Sequence, residues 1–214
     1  MFNDIKVALF DVDGTIIDSM PIWYECTTNF LISKNIDVPD NLMKTISTMS
    51  FNNAIAYLKE KFNLYESIEE IKKQVDENVI NKYTYEVSAK KSIKEFIDYL
   101  KSLNIKCYVL TAGLRKYFMP CFNRLGLVEY FDDIWTSEDF KLNKNDELIY
   151  KEISRQIKFK PSDIIFFDDS IRALRAAKLA GLHVVGVFDE NSKDDKENIL
   201  NFADGYINNF EELM

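Results

Sequence analysis

The chain has a single histidine, His183, among its 214 residues. That scarcity excludes a histidine-rich metal site and makes a Ser-His-Asp triad hard to build. Cysteine is nearly as rare. Cys26, Cys107 and Cys121 contain no CxxC pair and leave an odd number, so a disulfide framework is not expected and reduced thiols are. Basic charge is also short, with 27 Lys and Arg against 35 Asp and Glu and a net charge of −8. Partners held by neutralising phosphate backbones or anionic lipid are therefore disfavoured, and no nucleic-acid or membrane role is expected. No apolar run is long enough to span a bilayer and no apolar signal peptide follows Met1, which predicts a cytoplasmic protein. Internal repeats and low-complexity tracts are lacking as well.

What is present is an ordinary globular mixture, 47% apolar and 29% charged, on a chain long enough for one core plus a smaller lobe. Four short apolar runs, Val7–Phe10, Cys107–Leu110, Ile164–Phe167 and Val184–Phe188, each end in polar or acidic residues. Helical periodicity fills the intervals, as in Ile93, Phe96, Ile97, Leu100 and Leu103. This is the pattern of parallel strands buried on both faces, and it predicts an α/β fold with a Rossmann-like parallel sheet. From about Met20 to Tyr85 no strand is evident, which predicts an inserted α-helical domain at 19–87 within a core of 1–18 and 88–214. Inside it, Ser67 to Glu70 reads as a capping box opening a helix with the stripe Ile68, Ile71, Val75, Val79 and Tyr83. That stripe and His183 read as packing residues. The charged segment Glu190–Glu197 reads as a surface loop before a short terminal helix.

Acidic residues gather where two of the strands end: Asp11-Val12-Asp13-Gly14-Thr15, and Asp168-Asp169-Ser170. Ligands of open α/β sheets bind outside the carboxyl ends of the strands, so both clusters should face one crevice. Two like charges about 4 Å apart repel by roughly 1 kcal/mol in water and by several times that near a protein surface. Such a cluster calls for a hard cation, and Mg²⁺ suits it because that ion favours a few carboxylates, waters and phosphate oxygens. Thr111-Ala112-Gly113 supplies a hydroxyl and backbone N–H groups in a small-residue turn suited to phosphate oxygens, and Lys144 could add an ammonium. Taken singly, Thr111 and Asp169 could equally be helix caps, and Lys144 a solvated surface lysine.

The ordered set resembles the haloacid dehalogenase superfamily. The matching pieces are Asp11-Val12-Asp13-Gly14-Thr15-Ile16-Ile17-Asp18-Ser19, Val109-Leu110-Thr111-Ala112-Gly113, Ser137-Glu138-Asp139 leading to Lys144, and Phe167-Asp168-Asp169-Ser170. The helical insertion is similar to the cap of its β-phosphoglucomutase and phosphoglycolate phosphatase branch. This resemblance implies a Mg²⁺-dependent phosphatase of a small phosphorylated metabolite. Asp11 would be phosphorylated, and Asp13 would protonate the leaving oxygen and later take a proton from water. Mg²⁺ would lie on the Asp11 side chain, the Asp13 carbonyl and the Asp169 side chain, with Asp168 close by. Thr111, Ala112 and Lys144 would bind the transferring group.

Departures narrow the expectation. An aspartate at position 13 disfavours carbon–halogen and carbon–phosphorus cleavage, and Trp23 stands where a β-phosphoglucomutase-like enzyme would carry histidine. The stretch Thr48-Met49-Ser50-Phe51-Asn52-Asn53, read as a cap loop, lacks the glycine and arginine of sugar-phosphate mutases. Asn145 and Lys91-Ser92 replace the usual proline and Pro-Gly. Trp23 and Asn52 are candidates for an uncharged leaving-group pocket, with packing inside the cap as the other reading of Trp23. The alternatives are a phosphomutase and a phosphate-binding protein without turnover. A phosphorylated receiver domain would be about half this length. Monomer and homodimer are equally open.

Overall fold

The computed structural model describes residues 2, 4–46, 49 and 51–214. Strand β1 (Val7–Phe10) leads into four helices, α1 (Met20–Ser33), α2 (Leu42–Ile46), α3 (Phe51–Lys61) and α4 (Ile68–Tyr85). The alternating part follows: α5 (Ile93–Ser102), β2 (Lys106–Thr111), α6 (Arg115–Leu125), β3 (Asp133–Thr136), α7 (Ser137–Phe140), α8 (Glu147–Ile157), β4 (Ile164–Asp168), α9 (Ile171–Leu179), β5 (His183–Val187), α10 (Lys196–Leu200) and β6 (Gly205–Ile207). The chain divides into one unit of residues 1–19 and 87–214 and a second of 20–86. No strand occurs among the described residues of the second.

The larger unit is a six-stranded sheet in the order β3-β2-β1-β4-β5-β6, every pair parallel. All four residues of β1 are fully buried because helices cover both faces, and so an apolar run rather than an alternation encodes it. Phe10 pairs in register with Phe167, and their rings stack at 4.9 Å, which fixes how far β1 and β4 project together. The topology reverses between them. β2 and β3 extend the sheet on one side of β1, and β4, β5 and β6 on the other, so the ends of β1 and β4 border the switch point where α/β sheets take ligands.

The helical unit packs by its stripes: Ile71, Val75, Val79 and Tyr83 of α4 are buried. Its capping box is formed, with Glu70 N–H donating to Ser67 Oγ at 3.2 Å and Ser67 N–H to Glu70 Oε2 at 2.8 Å.

Several expectations are corrected. The edge strands β3 and β6 add to the four expected: β3 is short and bounded by Asp133 and Thr136, and β6 has only the three residues Gly205, Tyr206 and Ile207. Phe51, Asn52 and Asn53 form the first turn of α3 rather than a loop. Thr48 and Ser50 lie outside the described residues. Part of the charged segment after Glu190 is helical, with a 3₁₀ turn at Lys193–Asp195 running into α10. The terminal helix is a 3₁₀ turn, Phe210–Leu213. His183 does not pack. It opens β5 at that strand's one exposed position, its side chain 47% exposed and 3.8 Å from Asp204. The three cysteines are free and buried, and burial raises their thiols, to about 12 for Cys107 and about 11 for Cys26 and Cys121.

Candidate active site

Asp11 is the first residue beyond β1, and its N–H donates to the Phe167 carbonyl at 2.9 Å, so the pairing with β4 holds its backbone. Asp168 closes β4 and Asp169 follows it. One carboxylate oxygen from each of Asp11, Asp168 and Asp169 lies within 4.8 Å of the others, and all three residues are buried. Lys144, also buried, forms ion pairs with Asp11 Oδ1 and, at 2.7 Å, with Asp168 Oδ2. Burial disfavours its charge, but Asp11 and Asp168 outweigh this and hold the ammonium above its ordinary value. The loop bearing Lys144 is anchored by Tyr150, whose hydroxyl donates to the Lys144 carbonyl at 2.8 Å, with the Ala173 carbonyl 3.3 Å away.

The carboxylates differ in what they already hold. Asp168 accepts the Ser170 N–H at 2.7 Å on Oδ1 and faces Lys144 with Oδ2, so both of its oxygens are engaged. Among the described residues, the Asp169 carboxylate has neither a hydrogen bond nor an ion pair, although it is 9% exposed. Burial raises Asp169 well above the carboxylate range, with Asp168 and Asp11 adding to the effect. Burial likewise pushes Asp11 up to about 8, reinforced by Asp168 and Asp13 and opposed by Lys144. One ammonium cannot balance three buried carboxylates, so the set is electrostatically short of positive charge. Its hard oxygen donors and the free Asp169 carboxylate fit a divalent cation such as Mg²⁺.

The loop after Asp11 turns back on itself. Gly14 sits at φ +83° and donates its N–H to the Ile17 carbonyl at 2.9 Å. A Cβ there would stand 3.0 Å from Asp169 Cγ, so a glycine lets this loop lie against the second acidic cluster. The Asp13 carboxylate is not part of the trio. Its Oδ1 accepts the Ser19 hydroxyl at 2.6 Å and its Oδ2 faces Gly113. Thr111 ends β2 buried, its Oγ1 accepting the Gly113 N–H at 2.8 Å, while Ala112 is exposed at the turn. Asp11, Asp13, Thr111, Lys144, Asp168 and Asp169 therefore belong to the strand-end region of one unit.

Trp23 and Asn52 belong to the other unit. Trp23 Nε1 donates to Tyr83 Oη at 3.0 Å and its ring packs edge-on against Phe51 and Tyr83, while Asn52 is exposed. Sequence reasoning missed Tyr150. Its position six residues past Lys144, inside the buried stripe Ile149, Tyr150 and Ile153, was the available signal.

The family model for haloacid dehalogenase-like hydrolases matches residues 8–187. A phosphorylated carbohydrates phosphatase of Thermotoga maritima is 25% identical over 178 residues, which cover 83% of this chain and 82% of the relative. A solved Thermotoga maritima structure, provisionally assigned as a β-phosphoglucomutase, has a TM-score of 0.84 at 23% identity, covering 98% of this chain and 96% of that one. The Bacillus subtilis hydrolase YfnB, also provisionally assigned and solved with bound magnesium, has a TM-score of 0.77 at 19% identity over 98% of this chain and 96% of its own. At these identities the two solved structures speak to the fold alone.

Proposed function

Since the chain belongs to the haloacid dehalogenase-like hydrolase family, we propose that it hydrolyses a small organic phosphate monoester by way of a phosphorylated Asp11. The observation that carries this reading is the buried trio Asp11, Asp168 and Asp169 with Lys144 as its single ammonium. Asp11 and Asp169, with the Asp13 carbonyl, would hold Mg²⁺, and Asp168 would orient Lys144. When bound, the cation supplies positive charge to the ionised carboxylates and to the phosphoryl oxygens.

In the first step an Asp11 carboxylate oxygen attacks phosphorus, the ester P–O bond breaks, and Asp13 gives its proton to the departing alcohol oxygen. In the second step Asp13 takes a proton from water as that water attacks phosphorus, the Asp11–phosphorus bond breaks, and inorganic phosphate leaves. The Ser19 hydroxyl steadies Asp13 through both steps. Lys144 and the Thr111–Gly113 turn meet the transferring oxygens, since phosphoryl transfer depends mainly on positioning and charge compensation.

The phosphatase relative acts on phosphorylated carbohydrates, which supports small phosphate esters as the substrate class. Choice of the leaving group falls to the helical unit. There Asn52 is the exposed candidate, whereas the hydrogen bond from Trp23 to Tyr83 favours a packing role for Trp23.

The test is phosphate release from a panel of monoesters, with and without Mg²⁺, by the unaltered chain and by Asp11→Asn. Metal-dependent release that is lost in Asp11→Asn is expected. Isomerised rather than released phosphate would replace this reading with a phosphomutase, and neither product with a binding protein.

A further inference from the structure

Lys90 stands on the segment that follows the helical unit, next to the loop that carries Asp11 and Asp13. Its N–H donates to the Ile16 carbonyl at 2.8 Å, Asp18 N–H donates to the Ser88 carbonyl at 2.9 Å, and Ile17 bridges Ala89 antiparallel. Asp13 in turn bridges Ile17. The Asp13 backbone thus hangs on Ile17, and Ile17 hangs on the segment bearing Lys90.

The side chain of Lys90 reaches further. Its ammonium lies 2.7 Å from Asp189 Oδ2 and 3.5 Å from Asp18 Oδ1. Asp189 follows β5, and its side chain is 2% exposed, while Lys90 is 19% exposed. Besides Lys90, Asp189 accepts the backbone and side-chain N–H groups of Asn191 at 2.9 and 3.0 Å. Burial works against its charge, but Lys90 and Asn191 outweigh burial and hold it below the usual carboxylate range, so it is an anion. β1 and β5 are not neighbours; β4, which ends in Asp168, lies between them. Lys90 therefore ties the segments leaving β1 and β5, the strands on either side of β4. Gly186 of β5 pairs in register with Asp168 of the parallel β4, so Asp189, three residues further on, leaves the sheet at the same end as the acidic cluster.

We propose that Lys90 is a positioning residue for the active site, fixing the Asp11–Asp18 loop to the β5 end and cancelling the buried Asp189 charge beside the cation-binding carboxylates. The inference rests on the hydrolase reading for its kinetic consequence but not for its electrostatic one. A buried ion pair that loses one partner leaves an uncompensated charge. With Lys90 removed, Asp189 would add negative potential where Asp11 must attack a phosphate anion. The same potential would strengthen attraction for a divalent cation, so turnover and metal affinity should move in opposite directions. A residue that served only to hold the fold together would not produce that pattern.

The experiment compares the full chain, Lys90→Met, Lys90→Arg, Asp189→Asn and the double variant Lys90→Met/Asp189→Asn. Each is assayed for phosphate release, for Mg²⁺ affinity by titration calorimetry, and for thermal unfolding without metal to verify folding. Lys90→Met should lower kcat about tenfold, as a displaced catalytic loop does, with KM little changed. It should bind Mg²⁺ roughly threefold or more tightly, the size of a unit charge felt through screened, partly polar surroundings. Lys90→Arg should stay near the unaltered chain, and the double variant should return both quantities toward it. Unchanged Mg²⁺ affinity in Lys90→Met, or losses that simply add in the double variant, would overturn the proposal. If the unaltered chain binds Mg²⁺ but hydrolyses no ester, the hydrolase reading fails and the calorimetric comparison decides the role of Lys90 by itself. If it binds no Mg²⁺, both fail.

Discussion

The Asp13 carboxylate fills the space where a Gly113 side chain would stand: a Cβ there would lie 2.8 Å from Asp13 Oδ2 and 3.1 Å from Thr111 Oγ1. The turn after β2 is bare because the proposed acid–base group leans against it. Gly113→Ala should therefore push Asp13 aside without unfolding the chain. We expect kcat to fall by about 10- to 100-fold, the cost of a shift of order 1 Å in a reacting group, with the melting temperature almost unchanged. Steady-state phosphate release together with a thermal melt checks this, and full activity would mean that Asp13 does not need its present position.

The acidic trio predicts how stability depends on pH and metal. A carboxyl whose folded pKa is raised destabilises the folded chain increasingly as pH climbs from its unfolded value, and by the full amount above its folded value. For Asp11 that window runs from about 3.8 to about 8. The metal-free chain should lose stability as pH rises through this range. Because protons and cations compete for the same oxygens, the thermal shift produced by Mg²⁺ should be larger at pH 8 than at pH 5. Asp169→Asn should raise the metal-free melting temperature and suppress the Mg²⁺ response. A metal-induced shift of the same size in that variant would remove Asp169 from the ligand set.

Tyr150→Phe deletes one hydroxyl and leaves the Lys144 carbonyl without its donor. A buried acceptor left unpaired costs about 1–3 kcal/mol. Urea unfolding should show a loss in that range, and kcat should drop as the Lys144 loop loosens. Loss of stability with an intact kcat would show that Lys144 is held by its ion pairs alone.

Ser92 precedes α5 at φ 60° and ψ 19°, with no hydrogen bond from its side chain to the helix. A residue with a Cβ costs about 1–2 kcal/mol in this left-handed region, and glycine returns part of that gain through its unfolded-state freedom, roughly 0.5–1 kcal/mol. Ser92→Gly should stabilise the chain by about 0.5–1 kcal/mol in chemical denaturation. A decrease would mean that Ser92 is not strained.

The strands legible in the sequence, β1, β2, β4 and β5, are the four inner ones, and helices on both faces let each be written as an apolar run. β3 and β6 are the two edges. The edge strand Asp133-Ile134-Trp135-Thr136 spends Asp133 on the Ile134 N–H and the Trp135 indole, so its sequence resembles a turn as much as a strand. Asp11, Asp13, Asp168 and Asp169 could be read because their meaning depends on lying at a strand end, which the preceding apolar residues announce. Lys90 and Asp189 could not. Asp189 answers to a lysine 99 residues earlier in the chain, and no local periodicity encodes such a pair.

Strand order also constrains when the site can exist. β1 is made first but occupies the interior of the sheet, and its neighbours β2 and β4 begin only at residues 106 and 164. Asp11 meets Asp168 through contacts of very long sequence separation, which slow folding because a large loop must close before it is rewarded. On a ribosome, the β1 edge that later carries β4 would stay unpaired until most of the chain had emerged. The stage most exposed to mispairing is thus the interval between synthesis of β1 and arrival of β4, and a chaperone that shields an apolar strand would act there.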